Sequence, residues 1–202
     1  LPGTSVPTRY IGRMRNGFPL SIPRVVLALA AFSMTASCSS PAGSRPTALF
    51  EIESTWIWNS PWPSDQYLDE TGAPDLSPFP NPHNNTLLTE YVAVASTLDG
   101  WGLNSPVYFP LEGQIDKSGL PAPRASLERG SSLIIINIDE RSPYYGERYP
   151  VQWHFQEQAT AYQGENVLAV SAVHGFPLRP ATTHAFVLST EIVSRAPAFD
   201  QQ

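Results

Sequence analysis

Proline limits this chain more than any other residue. There are 21 prolines among 202 residues, with 13 glycines beside them. Each proline fixes φ, removes a backbone donor and ends or kinks any helix whose interior it enters. A mainly helical fold and a regular βαβ array are both excluded. Short strands separated by turns are what remains.

The length suits one ordinary domain with extensions. Apolar residues make up 42% of the chain, enough for a core, but charged residues only 15%, against about 25% in typical globular chains. The net charge is −6, and among the 12 basic residues the only lysine is Lys117. Binding to a phosphate backbone needs a basic patch, so nucleic acid is not an expected partner. The one cysteine excludes an intrachain disulfide framework and a cysteine-rich zinc site.

The amino-terminal residues read as a targeting segment. Met14 is an alternative start. Arg15 and Arg24 precede the apolar run Val25–Phe32, and small residues follow it, which is the pattern of a signal peptide. The run falls far short of the roughly 20 residues a membrane-spanning helix needs. Thr35-Ala36-Ser37-Cys38 comes next and resembles the lipobox of bacterial lipoproteins. That resemblance implies lipidation of Cys38 and a membrane partner reached through lipid rather than protein. Thr35 and Ser37 depart from the usual lipobox residues, and cleavage near Ala36 by ordinary signal peptidase is the competing expectation. The expected organisation is a signal region 1–38, a short polar tether 39–47 and a single domain 48–202. The expected location is the cell envelope, as an outer-membrane lipoprotein, or the extracellular space.

The domain opens with a possible strand, Ala48–Ile52, followed by a proline- and tryptophan-rich segment. Trp56, Trp58 and Trp62 stand among Pro61, Pro63, Pro74, Pro78, Pro80 and Pro82. Exposed tryptophans are costly, so these are expected to pack a proline-stiffened segment onto the core. The functional alternative is an aromatic platform of Trp56, Trp58, Trp62 and Trp101 that binds a glycan or peptide. Asp69, Glu70 and Asp75 lie around Gly72 without the ligand spacing of a calcium loop. No metal or other cofactor is expected.

One amphipathic helix is expected over 86–98. Asn84, Asn85 and Thr86 are its cap candidates, and Leu87, Leu88, Tyr91, Ala95 and Leu98 form its apolar face. That face should lie on a sheet or cover an open end. Beyond Gly102 the pattern turns to strands: Val107–Phe109, Leu133–Ile138, the alternating Val151–Gln156, Asn166–Val173 and Ala185–Ile192. In the third of these, Val151, Trp153 and Phe155 should share the buried face while His154 points away. The fold class expected is mainly β, an Ig-like antiparallel β-sandwich with one helix and a long amino-terminal segment.

Trp62-Pro63-Ser64-Asp65, Asp75-Leu76 and Phe79-Pro80-Asn81-Pro82 resemble the opening of large secreted lipoproteins of the myxobacterial type. They are also similar to the front part of some extracellular lipases. Gly175 to Leu188 resembles the carboxy-terminal stretch of bacterial Ig-like domains, with His184 where that pattern has Tyr. The resemblance implies layout rather than activity. In the longer relatives any catalytic domain follows this region.

The chain lacks the G-x-S-x-G nucleophile elbow of an α/β-hydrolase. Its histidines, His83, His154, His174 and His184, read as loop and strand-face residues, although His174 and His184 are near enough in sequence to meet. The carboxylates, among them Asp139 and Glu147, show no spacing that selects an acid–base pair. The expected function is therefore a non-catalytic surface or secreted lipoprotein module, structural or adhesive, with envelope proteins or glycans as partners. The alternatives are the accessory region of a lipase-like hydrolase and a carbohydrate- or peptide-binding domain.

Overall fold

Two small antiparallel sheets organise the molecule. The computed structural model describes residues 45–51, 54 and 56–195, all within one of the chain's two compact units, residues 44–201. The expected signal region 1–38, Cys38 and the first part of the tether lie outside the described residues. The strands are β1 (Val107–Pro110), β2 (Leu133–Asn137), β3 (Arg148–Tyr149), β4 (Val151–Gln156), β5 (Val167–Ala172) and β6 (His184–Leu188). One sheet has the order β1-β5-β4 and the other β3-β2-β6. A single α-helix among the described residues, α1, spans Thr86–Ala95.

Alternation sets the inner faces. Along β2 the buried residues are Leu133, Ile135 and Asn137, with Ile134 and Ile136 half-buried between them. On β4 and β5 the register places Val151 opposite Ala172, Trp153 opposite Val170 and Phe155 opposite Leu168. All six contribute to one core with Val107, Phe109, Leu133 and Ile135. His154 is exposed on the other face, as the alternation predicts. Each fully buried aliphatic side chain here contributes about 1.5–3 kcal/mol relative to exposure.

The chain crosses between sheets at Pro150. Tyr149 pairs with Ile135 in one sheet and Val151 with Ala172 in the other. Pro150 has no N–H to give to either ladder, and its carbonyl accepts from Val173 N at 2.8 Å. The Val151 N–H turns instead to Ser126 Oγ at 2.9 Å. Ser126 is wholly buried and donates its hydroxyl to Pro123 O at 2.6 Å.

The outer face of the first sheet is covered at β1 and β5. Ile57, Trp58, Tyr67 and Val167 are buried together, with Trp62, Phe79, Trp101 and Tyr108 packed around them. Trp62 and Tyr108 exchange both backbone hydrogen bonds, at 3.0 and 2.7 Å, so the tryptophan segment continues the sheet beyond β1. Trp58 and Trp62 pack here, whereas Trp56 stays exposed. The described residues 48–51 do not form the expected strand. Only isolated bridges occur there, Thr47 with Ser194 and Ala48 with Leu111.

The helix corrects two expectations. It ends at Ala95 rather than 98, with turns leading to Gly100, whose φ of 145° suits only glycine. None of its residues is buried. The shared core occupies the inner face of the first sheet, and the tryptophan cluster covers the outer face at β1 and β5, while His154 on β4 stays exposed. The helix is held at its polar start instead. Asn85 accepts from Leu87 N and Leu88 N as the N-cap. Asn81 Oδ1 accepts from Asn85 N at 2.8 Å, and its amide reaches Thr89 Oγ1 at 3.1 Å.

Candidate functional site

Two loops meet where β2 ends and β6 begins. Asn137 lies opposite His184, and Ile138 N donates to Thr183 O at 2.9 Å. Asn137 is wholly buried and shapes the loop that follows it. Its backbone exchanges hydrogen bonds with Glu147 O and Gly146 N, each at 2.9 Å. Its side chain accepts from Asp139 N at 3.0 Å and donates to Ser142 Oγ at 3.1 Å. Between this loop and residues 179–182 lies an open cleft of about 650 Å³. Arg141, Ser142 and Tyr144 line one side, with Arg179, Ala181 and Thr182 opposite.

Arg179 is the best-supported group in the cleft. Its Nε and Nη2 donate to the two carboxylate oxygens of Glu147 at 2.6 and 3.0 Å. Its guanidinium carbon lies 3.3 Å from the centroid of the Tyr144 ring, a geometry in which cation and ring attract. Arg179 is the main reason the Glu147 carboxyl is held below its ordinary range, with the Tyr149 hydroxyl assisting at 3.1 Å. Burial, then Glu147, pushes the Tyr149 phenol up.

His184 closes the network. Its ring stands edge-on to Tyr149, with centroids 5.3 Å apart. Nδ1 lies 3.0 Å from Thr182 O. A carbonyl only accepts, so Nδ1 carries the proton and Nε2, 3.4 Å from the Tyr149 oxygen, is the bare nitrogen in the neutral ring. Burial lowers the His184 pKa below its ordinary value, against the pull of the Thr182 carbonyl and Glu147.

The remaining acid in the cleft is engaged locally. Asp139 Oδ1 accepts from Arg141 N at 3.0 Å and from Arg141 Nε at 3.2 Å. Its carboxylate is nearly covered while the Arg141 side chain is 88% exposed. Ser142 Oγ accepts from Asn137 Nδ2 and from Tyr144 N. Both of these partners are donors, so neither draws the hydroxyl proton. The cleft wall therefore offers hydrogen-bond donors, and its carboxylates, Asp139 and Glu147, already hold arginines.

The tryptophans singled out in the sequence are placed differently from a platform. Trp58 is buried, with its indole N–H on Tyr162 O at 3.0 Å. Trp62 and Trp101 are half-buried and meet edge-on, with centroids 6.0 Å apart. Trp62 also stacks on Tyr108. The Trp101 indole nitrogen is buried without a hydrogen-bond partner. Trp56 alone is open, at 44% exposure. The rings are turned toward one another rather than set in a flat exposed row.

Asp69 is absorbed by its own turn, accepting from Thr71 N, Thr71 Oγ1 and Ala73 N. Asp75 accepts from Ser77 N. His174 is exposed on the turn after β5, whereas His184 engages Tyr149 and Thr182, so the two do not form a pair. Cys38 lies outside the described residues. Among the described residues no three His, Cys, Asp or Glu side chains gather as a metal site, and no helix is long and apolar enough to cross a membrane.

Sequence reasoning missed Arg179 and Tyr144. Glu147 and His184 were visible as titratable residues, but nothing in their spacing joins them. The available signal was the Tyr144-Tyr145-Gly146 turn, because tyrosine and glycine together are common in binding loops. No protein-family model, curated protein or solved structure matches the chain.

Proposed function

We propose that this chain is a non-catalytic surface module, structural or adhesive, held at the cell envelope by lipid on Cys38. The observation that carries the reading is the apolar stripe on α1. Leu87, Tyr91 and Val94 recur every three or four residues, so they fall along one side of the helix, and Leu98 follows just beyond its end. Their exposures are 54%, 63%, 65% and 51%. Within the helix the only charged residue is Glu90. A contiguous apolar surface left in water is characteristic of a contact site.

The rest of the molecule agrees with a passive scaffold. Two three-stranded antiparallel sheets sharing one core support reading the fold as an Ig-like sandwich, which presents loops and edges to partners. The likeness of residues 175–188 to bacterial Ig-like domains supports the fold, and that of residues 62–82 to secreted lipoproteins supports the envelope placement. So does the lipobox-like sequence ending at Cys38.

The test combines two variants in the native host. Cys38→Ser should move the protein from the membrane fraction to the soluble fraction. Leu87→Ser combined with Val94→Ser should leave membrane fractionation and folding unchanged but abolish cross-linking of the chain to neighbouring envelope proteins. Unchanged fractionation of the cysteine variant would overturn the anchor. Unchanged cross-linking of the helix variant would overturn the contact role.

A further inference from the structure

The donors of the cleft are not all spent. An arginine side chain carries five N–H donors. Arg179 gives one from Nε and one from Nη2 to Glu147, so three remain on a side chain that lines the cleft. Arg141 uses Nε and Nη2 on Asp139 and leaves Nη1 free. The Ser142 hydroxyl accepts twice and has its own proton left to donate. The acids that would compete for these donors, Asp139 and Glu147, already hold arginines.

Most backbone N–H groups of the 139–146 wall are taken. Arg141 N, Ser142 N, Tyr144 N, Tyr145 N and Gly146 N all donate within the loop or to Asn137. An extended peptide, which relies on main-chain hydrogen bonds to its host, finds few backbone donors on this wall. A ligand here must be recognised by side-chain donors and by the apolar surfaces of Pro143, Tyr144 and Pro180. It must also bring an acceptor for these side-chain donors. A carboxylate does so, and its planar geometry fits the free edge of a guanidinium. A ring-sized body beside that carboxylate fits the tyrosine and proline surfaces.

We propose that the cleft between Tyr144 and Arg179 binds the uronic-acid residues of an acidic glycan, with Arg179 holding the carboxylate and Tyr144 and the prolines lying along the sugar ring. The site is pre-organised. Glu147 and the Tyr144 ring hold the guanidinium before any ligand arrives, so little order has to be gained on binding. The net charge of −6 opposes loose attraction of polyanions, which leaves selectivity to the short-range fork.

The experiment is calorimetric titration of the full chain with trigalacturonate. Neutral galactotriose, inorganic phosphate and an acidic tripeptide serve as comparison ligands. Saturable binding of trigalacturonate alone is expected. Arg179→Lys keeps the charge but loses the fork and should weaken binding roughly tenfold or more. Arg141→Ala touches neither Glu147 nor Tyr144 and should weaken it by a smaller factor. Circular dichroism of each variant checks that the fold persists. Absence of saturable binding, equal binding of galactotriose, phosphate or the peptide, or undiminished binding by a folded Arg179→Lys would each overturn the proposal. The Leu87 and Val94 variants of α1 should bind trigalacturonate normally, so this site and the helix contact fail independently.

Discussion

The Val151 N–H is held by the Ser126 hydroxyl at 2.9 Å, one residue after the chain leaves one sheet for the other. The preceding Pro150 has no N–H, and Val151 pairs with Ala172 only from that point onward. The serine thus satisfies a buried donor at the sheet crossing. Ser126→Ala leaves that donor unpaired, along with the Pro123 carbonyl. A loss of about 1–3 kcal/mol is expected, as for other buried polar groups left unsatisfied. Urea denaturation measures it, and an unchanged midpoint would show that water replaces the hydroxyl.

Trp153 lies on the inner face of β4 and also donates its indole N–H to Pro121 O at 3.0 Å. The ring is half-buried, so Trp153→Ala is expected to cost about 2–4 kcal/mol, somewhat under the range for a fully buried tryptophan. Trp153→Phe keeps most of the packing and removes only the hydrogen bond, and should cost roughly 1 kcal/mol. A similar loss from both variants in denaturant melts would assign the stabilisation to the hydrogen bond rather than to packing.

The stripe on α1 makes the opposite prediction. Leu87→Ser and Val94→Ser remove apolar atoms that already face water. Each should change stability by no more than about 0.5 kcal/mol. A loss of several kcal/mol in either variant would mean that the helix face is buried against something in the isolated protein.

Acid should weaken the loop network, and both titrating groups act in the same direction. The Glu147 carboxyl is lowered by Arg179, so its contribution is present above its ordinary pKa and is lost as the pH falls through the folded value. His184 is lowered by burial, so the folded state favours the neutral ring. Protonation then costs stability as the pH drops below the unfolded value of about 6.5, until the folded value is passed. Thermal melts from pH 8 to 4 should show a decline beginning near that point. His184→Gln should remove the upper part of the decline and Glu147→Gln the lower. A flat profile in the unmodified protein would contradict the assignment.

Much of the framework is legible in the sequence because its signals are local. The isoleucines of β2 and the alternation of Val151, Trp153 and Phe155 report their own strands and faces. Asn85 marks the start of α1, and the proline-tryptophan segment announces its burial. The exposure of the helix was not legible. Its periodicity shows that one side is apolar, but not that the tryptophan cluster already occupies the sheet face it could have covered. The cleft was not legible either. Glu147 and Arg179 are 32 residues apart and meet only because β2 pairs with β6. That pairing depends on the packing of the whole core.

The two ends of the described fold run side by side. Thr47 and Ser194 form a parallel bridge, with Ala48 N on Ser194 O at 3.0 Å and Ser194 N on Pro46 O at 2.8 Å. In a parallel pair the chain enters from one direction and leaves in the other. Tension applied through residues 45 and 195 therefore pulls along the strands and loads these bonds together in shear, instead of peeling them one at a time. The neighbouring bonds of Leu49 N to Pro110 O and Glu112 N to Thr47 O share that load. A module linked through these two points would resist force best at the seam between its ends. Single-molecule pulling at those positions should show one high-force rupture, whereas a stepwise low-force opening would mean that the seam unzips.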